Sequence, residues 1–424
     1  MNRTSKLVTF AGVVACISSA AIAQTPDRER AFAMDLLADA DGRSSLLQAG
    51  GTSGYNSGTG FFIASADGNN RLNVRVLQQF RYYLNFGDND RGIFVDDGDG
   101  DFEFVNPDNA DFAQGFENNQ TRFTFDGNMI NQDLTYKIQF GFDAGGNLAL
   151  EDAYGQYMIN DDVYIKWGQF RAPVLAEEFR VDDQHQLAAG RSIVSNLFSP
   201  GRVQGVAVGF RGEDFGIHGS VNQGAGSANS FFTDEAADFG FTVRADWKFA
   251  GQWDQFNDFT SFQGSENAGV VGAALHYQFG GETLGSFDAN VLLYTIDFQY
   301  EGDGWNVFAA FVGQNFDPEG DDSSDNFGIL VQGGIFLTEQ VELFGRWDLL
   351  LLDDDFFEED VQNFITLGAN YYFIPGSHAA KFTGDVVIGI NKEYDGLVAP
   401  NSGLLGNLDN TGEVGVRLQM QLAF

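Results

Sequence analysis

The sequence predicts an all-β fold: a transmembrane antiparallel β-barrel of about sixteen strands, with one long loop folded inward as a constriction. Three observations predict it. Apolar and polar residues alternate with a period of two in segment after segment from Leu72 to Phe424, which gives each strand one face for hydrocarbon and one for water. The connections alternate between short and long, the asymmetry of a barrel with tight turns at one end and extended loops at the other. The composition, with 53 Gly, 43 Phe, 7 Pro and a mean hydropathy of -0.18, averages a lipid face with a wet one.

At the N-terminus, Arg3 and Lys6 precede an apolar run over residues 7–20, and Ala21-Ile22-Ala23 forms a small-x-small cleavage site before Gln24. Residues 1–23 are expected to be a signal peptide. Val13-Val14-Ala15-Cys16 also fits a lipoprotein box with Cys16 acylated, but the apolar run continues past it to a conventional site. Cys16 is the single cysteine, so the exported chain is expected to hold neither disulfides nor thiolate metal sites. No later apolar run approaches the ~20 residues of a helical span, so a membrane would be crossed by strands. Residues 24–59, with a modest helical pattern over 27–38 and a Gly/Ser/Thr-rich stretch over 50–60, are expected to be a periplasmic leader and linker; residues 60–424 are expected to be the barrel. Residues 60–65 with the turn Asp67-Gly68-Asn69-Asn70 suit a short hairpin beside the barrel mouth.

In the first strand, Leu72, Val74, Val76, Phe80, Tyr82, Leu84 and Phe86 share one face, and Asn73, Arg75, Gln79, Arg81 and Asn85 the other. The alternation recurs at residues 120–128, 134–143, 149–159, 163–171, 203–212, 215–222, 239–249, 270–279, 290–300, 305–316, 327–338, 341–351, 364–373, 381–392 and 413–424. Each segment is near the ~10 residues of a tilted membrane strand. Short connections fall at 130–133, 160–162, 213–214, 301–304, 339–340 and 374–377; the intervening ones, including 87–115, 172–202, 223–238, 317–325, 353–360 and 393–410, are mostly long. Residues 250–268 sit on the short side yet are long: either an unusual turn or a hairpin that the count misses. The last segment alternates Val414, Val416, Leu418, Met420, Leu422 and Phe424 with polar or small residues. A soluble edge strand shares that pattern. Ending on an aromatic, however, resembles the closing strand of bacterial outer-membrane barrels, which implies outer-membrane lipid and the barrel assembly machinery, through Phe424, as partners.

The net charge of −37 argues against nucleic acid or an anionic membrane surface as partner. The acid is concentrated in the long connections. Asp97, Asp99 and Asp101 have an oxygen-ligand spacing that suits a weak Ca2+ site, without the turn glycine of a helix-loop-helix site; no other cofactor is expected. The polar strand faces carry Arg75, Arg81, Arg122, Lys137, Lys166, Arg211, Arg244, Lys248, Arg346, Lys381 and Arg417, more bases than acids, in a chain with 23 Lys and Arg against 60 Asp and Glu. Pairing across neighbouring strands accounts for any one of them. Together they favour anions in the lumen by Coulomb attraction. The connection 172–202 holds Arg180, His185 and Arg191 around the helix-like apolar set Leu187, Ala188, Ile193, Val194 and Leu197, flanked by Arg171 and Arg202. A loop of that kind folded inward narrows a lumen that is otherwise an aqueous channel. His185, His218, His276 and His378 show no metal-ligand spacing and no Gly-x-Ser-x-Gly occurs, so no enzymatic activity is expected.

Gly168-Gln169-Phe170-Arg171-x-Pro173, then Phe198-Ser199-Pro200-Gly201-Arg202-x-x-Gly205-Val206, with Asp152-Ala153-Tyr154 upstream, resembles the phosphate-selective porin O and P family. The resemblance implies a homotrimer of sixteen-stranded barrels whose third loop folds inward and whose lumen conducts anions past Arg and Lys; by motif position it carries over Arg171 and Arg202. Phosphate selectors use a dense Lys and Arg array, whereas this chain beyond residue 23 has only Lys137, Lys166, Lys248, Lys381 and Lys392. General passive diffusion of small hydrophilic solutes, favouring anions, with the constriction at Arg171, Arg180, Arg191 and Arg202, is therefore the expectation. The alternatives are an acidic surface barrel that binds cations or partners with little conduction, and a secreted soluble β-protein.

Overall fold

A computed structural model describes residues 51–56, 60–87, 93–96, 102–105, 112–232, 237–281, 288–320, 322–354, 360–390, 400–405 and 412–424. The expected signal peptide, most of the leader, and Asp97, Asp99 and Asp101 lie outside the described residues.

Sixteen strands carry the fold: β1 (Arg71–Phe86), β2 (Phe112–Met129), β3 (Asn131–Phe142), β4 (Leu148–Met158), β5 (Val163–Arg171), β6 (Arg202–Arg211), β7 (Phe215–Asn222) and β8 (Phe239–Ala250). They continue as β9 (Ala268–Phe279), β10 (Ala289–Gly302), β11 (Trp305–Pro318), β12 (Ser324–Thr338), β13 (Val341–Leu351), β14 (Val361–Tyr372), β15 (Ala380–Gly389) and β16 (Val414–Ala423). Each pairs antiparallel with the next, and β16 returns to β1 with Val414 opposite Phe86 and Ala423 opposite Leu77. Closure leaves no strand edge, the condition for spanning a bilayer with a sheet. The chain end seals the seam, since the Phe424 amide donates to the Val76 carbonyl at 3.0 Å. Just beyond it, the short strand Gly60–Ala64 extends the same edge of β1, Phe61 facing Val74, as the hairpin expectation had it.

Alternation sorts the side chains as expected. On β16, Arg417, Gln419 and Gln421 are buried inward while Leu418 and Leu422 are exposed outward, in company with Phe80, Trp167, Ile217, Trp247 and Phe298. Two differences from the sequence reading have simple causes. Strand β2 starts at Phe112 rather than near residue 120, because the pairing with β1 shifts register between Gln79 and Phe80. The extra residue flips the phase of the alternation, so the first half of the strand reads as loop. Residues 251–267 hide no hairpin: they are one long turn with a 3-10 segment, Trp253–Asn257, whose Phe256 and Phe259 are fully buried.

The interior is apolar on one side only. Leu293 of β10, Phe308 and Val312 of β11, Leu330 of β12, Phe344 and Leu350 of β13 and Phe364 of β14 form one buried cluster with residues of the loop between β5 and β6. Where the loop docks, short stretches are apolar on both faces, as at Val291-Leu292-Leu293-Tyr294, one face meeting lipid and one the loop, while the same inner wall also carries Asp297, Glu342, Arg346 and Asp348.

Candidate functional site

The loop between β5 and β6 lies inside the barrel. It contains helix α1 (Ala176–Phe179), a 3-10 turn at Asp183–His185 and helix α2 (Ile193–Phe198). Ser192 caps α2 by accepting from the Ser195 amide at 2.9 Å, and its own amide donates to Glu177 at 2.9 Å, tying the two helices together. Val174, Leu175, Val181, Leu187, Ile193, Val194 and Phe198 are buried against the apolar side of the wall. Helix α2 comes so close to β12 that a Cβ at Gly328 would lie 2.8 Å from both Val194 and Phe198.

Wall cations hold the loop backbone. Arg244, fully buried, donates to the Val174 carbonyl at 2.8 Å and pairs with Asp246 and Asp297. Arg346 donates to the Gly190 carbonyl at 2.9 Å, and Lys381 to that of Gln186 at 2.8 Å. Arg417 pairs with Asp385 at 2.7 Å, and Asp385 accepts the Ala189 amide at 2.9 Å. Arg180 lies beneath α1, 3.1 Å from Asp297, away from open space. Lys166 stacks on Tyr154 with its ammonium 4.5 Å from the ring centre; Arg211 and Lys248 lie near Trp253, at 5.5 and 5.7 Å. The sequence places Arg180 at the constriction and the other bases on the lumen wall; in the structure they stand as loop anchors or at the short-turn end.

The other side of the lumen holds two charged cavities. A cavity of about 490 Å3 is lined by Arg81, Glu117, Arg122, Arg171, Asp183, Arg191 and Arg202 among others. A second, of about 270 Å3, is lined by Arg75, Arg122, Lys137, Asp182, His185 and His378 among others. Arg122 of β2 borders both. At that point three guanidinium groups converge on one carboxylate: Asp183 meets Arg191 at 2.9 Å, Arg171 at 3.7 Å, and Arg122 in a close ion pair. Burial pushes Asp183 up, but Arg191, Arg122 and Arg171 hold it well below the usual carboxylate range. Burial likewise opposes charge on Asp182, which Lys137, His185, Arg122 and Arg171 hold at about 2. Asp152 takes Arg202 at 2.8 Å and Lys137 at 2.7 Å; Arg75 pairs with Asp126 at 2.8 Å. Glu151, Asp152 and Asp183 as charge partners follow from register and loop placement, and only Asp152 carried a sequence signal, through the motif.

That motif has a physical basis. Arg171 and Arg202 face each other across β5 and β6, at the two ends of the loop. Gly168 has a φ of +119°, and a Cβ there would lie 2.2 Å from the Ala153 carbonyl oxygen, so only glycine fits.

Fold and loop together define a class, the membrane-spanning barrel whose lumen is narrowed by an inward loop. No family model and no curated protein matches the sequence. Solved structures do match. The anion-selective porin from Comamonas acidovorans aligns with a TM-score of 0.57 at 10% identity, covering 83% of this chain and 99% of that one. In-vitro folded OmpT of Vibrio cholerae, in its trimer form, gives 0.52 at 12% identity over 82% and 99%. OprB of Pseudomonas putida gives 0.52 at 12% identity over 90% and 96%. At such identities the likeness is one of fold: this chain has the fold of outer-membrane porin barrels.

Proposed function

We propose that the chain is an outer-membrane porin, a passive and non-catalytic pore for small hydrophilic solutes that favours anions and works as a homotrimer. One observation carries the reading: the inward loop fills the apolar side of the lumen and leaves open, on the β1 to β3 side, two charged cavities that meet at Arg122. Arg81 borders that side but is 1% exposed and donates to the Ala189 and Asn401 carbonyls; a solute crossing there passes Arg122, Arg171, Arg191 and Arg202. Each of these four has a carboxylate partner, so the expected anion preference is modest rather than absolute. Phosphate-type anions belong among the solutes to test, given the motif around Arg171 and Arg202. The trimer is supported by the trimer form of the OmpT neighbour.

Reversal potentials across planar bilayers in a KCl gradient test this. Wild type is expected to favour chloride, and Arg171→Ala with Arg202→Ala to lower the chloride preference. A cation-preferring wild type would overturn the electrostatic part, and an absence of conductance steps would remove the pore in favour of a surface barrel.

A further inference from the structure

His185, Asp258 and His378 come from three separate connections: the tip of the inward loop, the long turn 251–267 and the turn between β14 and β15. Their candidate ligand atoms all lie within 4.8 Å of one another. His378 Nε2 is 2.7 Å from Asp258 Oδ2, and the two imidazole rings have centroids 4.7 Å apart. His378 is 9% exposed, and its other nitrogen, Nδ1, is buried with no hydrogen-bond partner. A metal bound through Nε2 leaves Nδ1 as it is; what points to an ion is the convergence of the three side chains from separate connections.

We propose that His185, Asp258 and His378 bind one divalent transition-metal ion of the zinc type, and that the ion clasps the inward loop to the short-turn end of the barrel. Two imidazoles and a carboxylate form a donor set suited to zinc and its first-row neighbours, with a remaining position for water. The carboxylate is already oriented, since Asp258 Oδ1 accepts the Thr260 amide at 2.7 Å. The loop and the turn are already joined by the Phe259 amide, which donates to the His185 carbonyl at 3.4 Å. Two ligands of one tetrahedral zinc stand about 3.3 Å apart, wider than the hydrogen bond between His378 and Asp258, so the metal takes the place of the shared proton and draws His185 in. One side of the cluster is dry, with the Phe262 and Tyr372 rings centred 5.3 and 5.5 Å from that of His378. The other opens on the cavity of about 270 Å3 lined by His185 and His378, which supplies the path in.

The test does not depend on conduction. Zinc chloride is titrated calorimetrically into the full-length chain folded in detergent, alongside His378→Gln and His185→Gln, with heat-modifiable gel migration as the check that each is folded. One equivalent is expected to bind to wild type, with affinity at least tenfold weaker in either folded variant. Equal binding by wild type and both variants, or none by wild type, overturns the site and leaves a hydrogen-bonded strut. Should a variant not fold, Asp258→Asn is titrated in its place and read in the same way. In bilayers, zinc on the short-turn side is expected to quiet or reduce the current of wild type and not of His378→Gln. A failure of the pore reading would abolish that current while leaving the calorimetric result intact.

Discussion

Asp183 gathers Arg122, Arg171 and Arg191 at the meeting point of the two cavities. Removing its charge leaves three guanidinium groups with one fewer carboxylate among them. A unit charge at such distances is worth about 1 kcal/mol in a wet site, which corresponds to roughly a fivefold change in relative permeability. Asp183→Asn is therefore expected to raise the chloride-to-potassium permeability ratio about that much by reversal potential, and Arg202→Ala, which leaves Asp152 to Lys137 and Glu151 to Arg122 alone, to lower it. Asp182 sets the acid limit. With its carboxyl held at about 2 against an ordinary 3.8, the folded state binds fewer protons than the unfolded one between those values. Its contribution to loop attachment is complete above about pH 4 and lost as pH falls toward 2. Protease cleavage within residues 172–201 is expected to stay slow down to pH 4 and to speed up below it; acceleration already between pH 7 and 5 in wild type, absent from Asp182→Asn, would contradict that assignment.

At the scale of elements, the inward loop is a small apolar core docked on the wall. Phe198, fully buried beside Gly328, is the side chain to truncate: Phe198→Ala is expected to cost the docked loop about 3–5 kcal/mol. Hydrogen exchange across residues 193–198 should rise, while the strands keep their protection. Gly328→Leu approaches the same contact from the wall, driving a side chain into Val194 and Phe198, and is expected to raise channel noise without loss of the barrel. The sequence disclosed the apolar helical set of this loop but not its dock. Leu293, Phe308 and Leu330 sit on strands read as alternating like the rest, and nothing in a period of two says which inward positions meet another element rather than water. The same limit concealed the first half of β2, where one inserted residue reverses the phase, and the pairing of Asp183, which depends on where a loop turns back. His185 and His378 lie far apart in the chain, so only the closed barrel brings their rings together.

For the whole molecule, strand number, order and the short-turn, long-loop asymmetry were legible because lipid outside and water inside impose one rule on every strand. The inner wall was less so: the charged positions were readable, but whether each lines space or holds the loop depends on what fills the lumen. Arg81, Arg244, Arg346 and Lys381 hold it directly and Arg417 through Asp385. A barrel of this construction is expected to need detergent to stay dispersed and to migrate differently on gels before and after heating.

The central claim is that water and ions pass on the β1 to β3 side and not through the apolar side. Thr124 of β2 lines the open cavity, whereas Leu293 of β10 is buried beneath the loop. Single-channel recording of Thr124→Cys and Leu293→Cys, with a charged thiol reagent added, separates the two sides directly. The expected result is a stepwise fall in current for Thr124→Cys and none for Leu293→Cys; block at Leu293→Cys with Thr124→Cys unaffected would contradict the path.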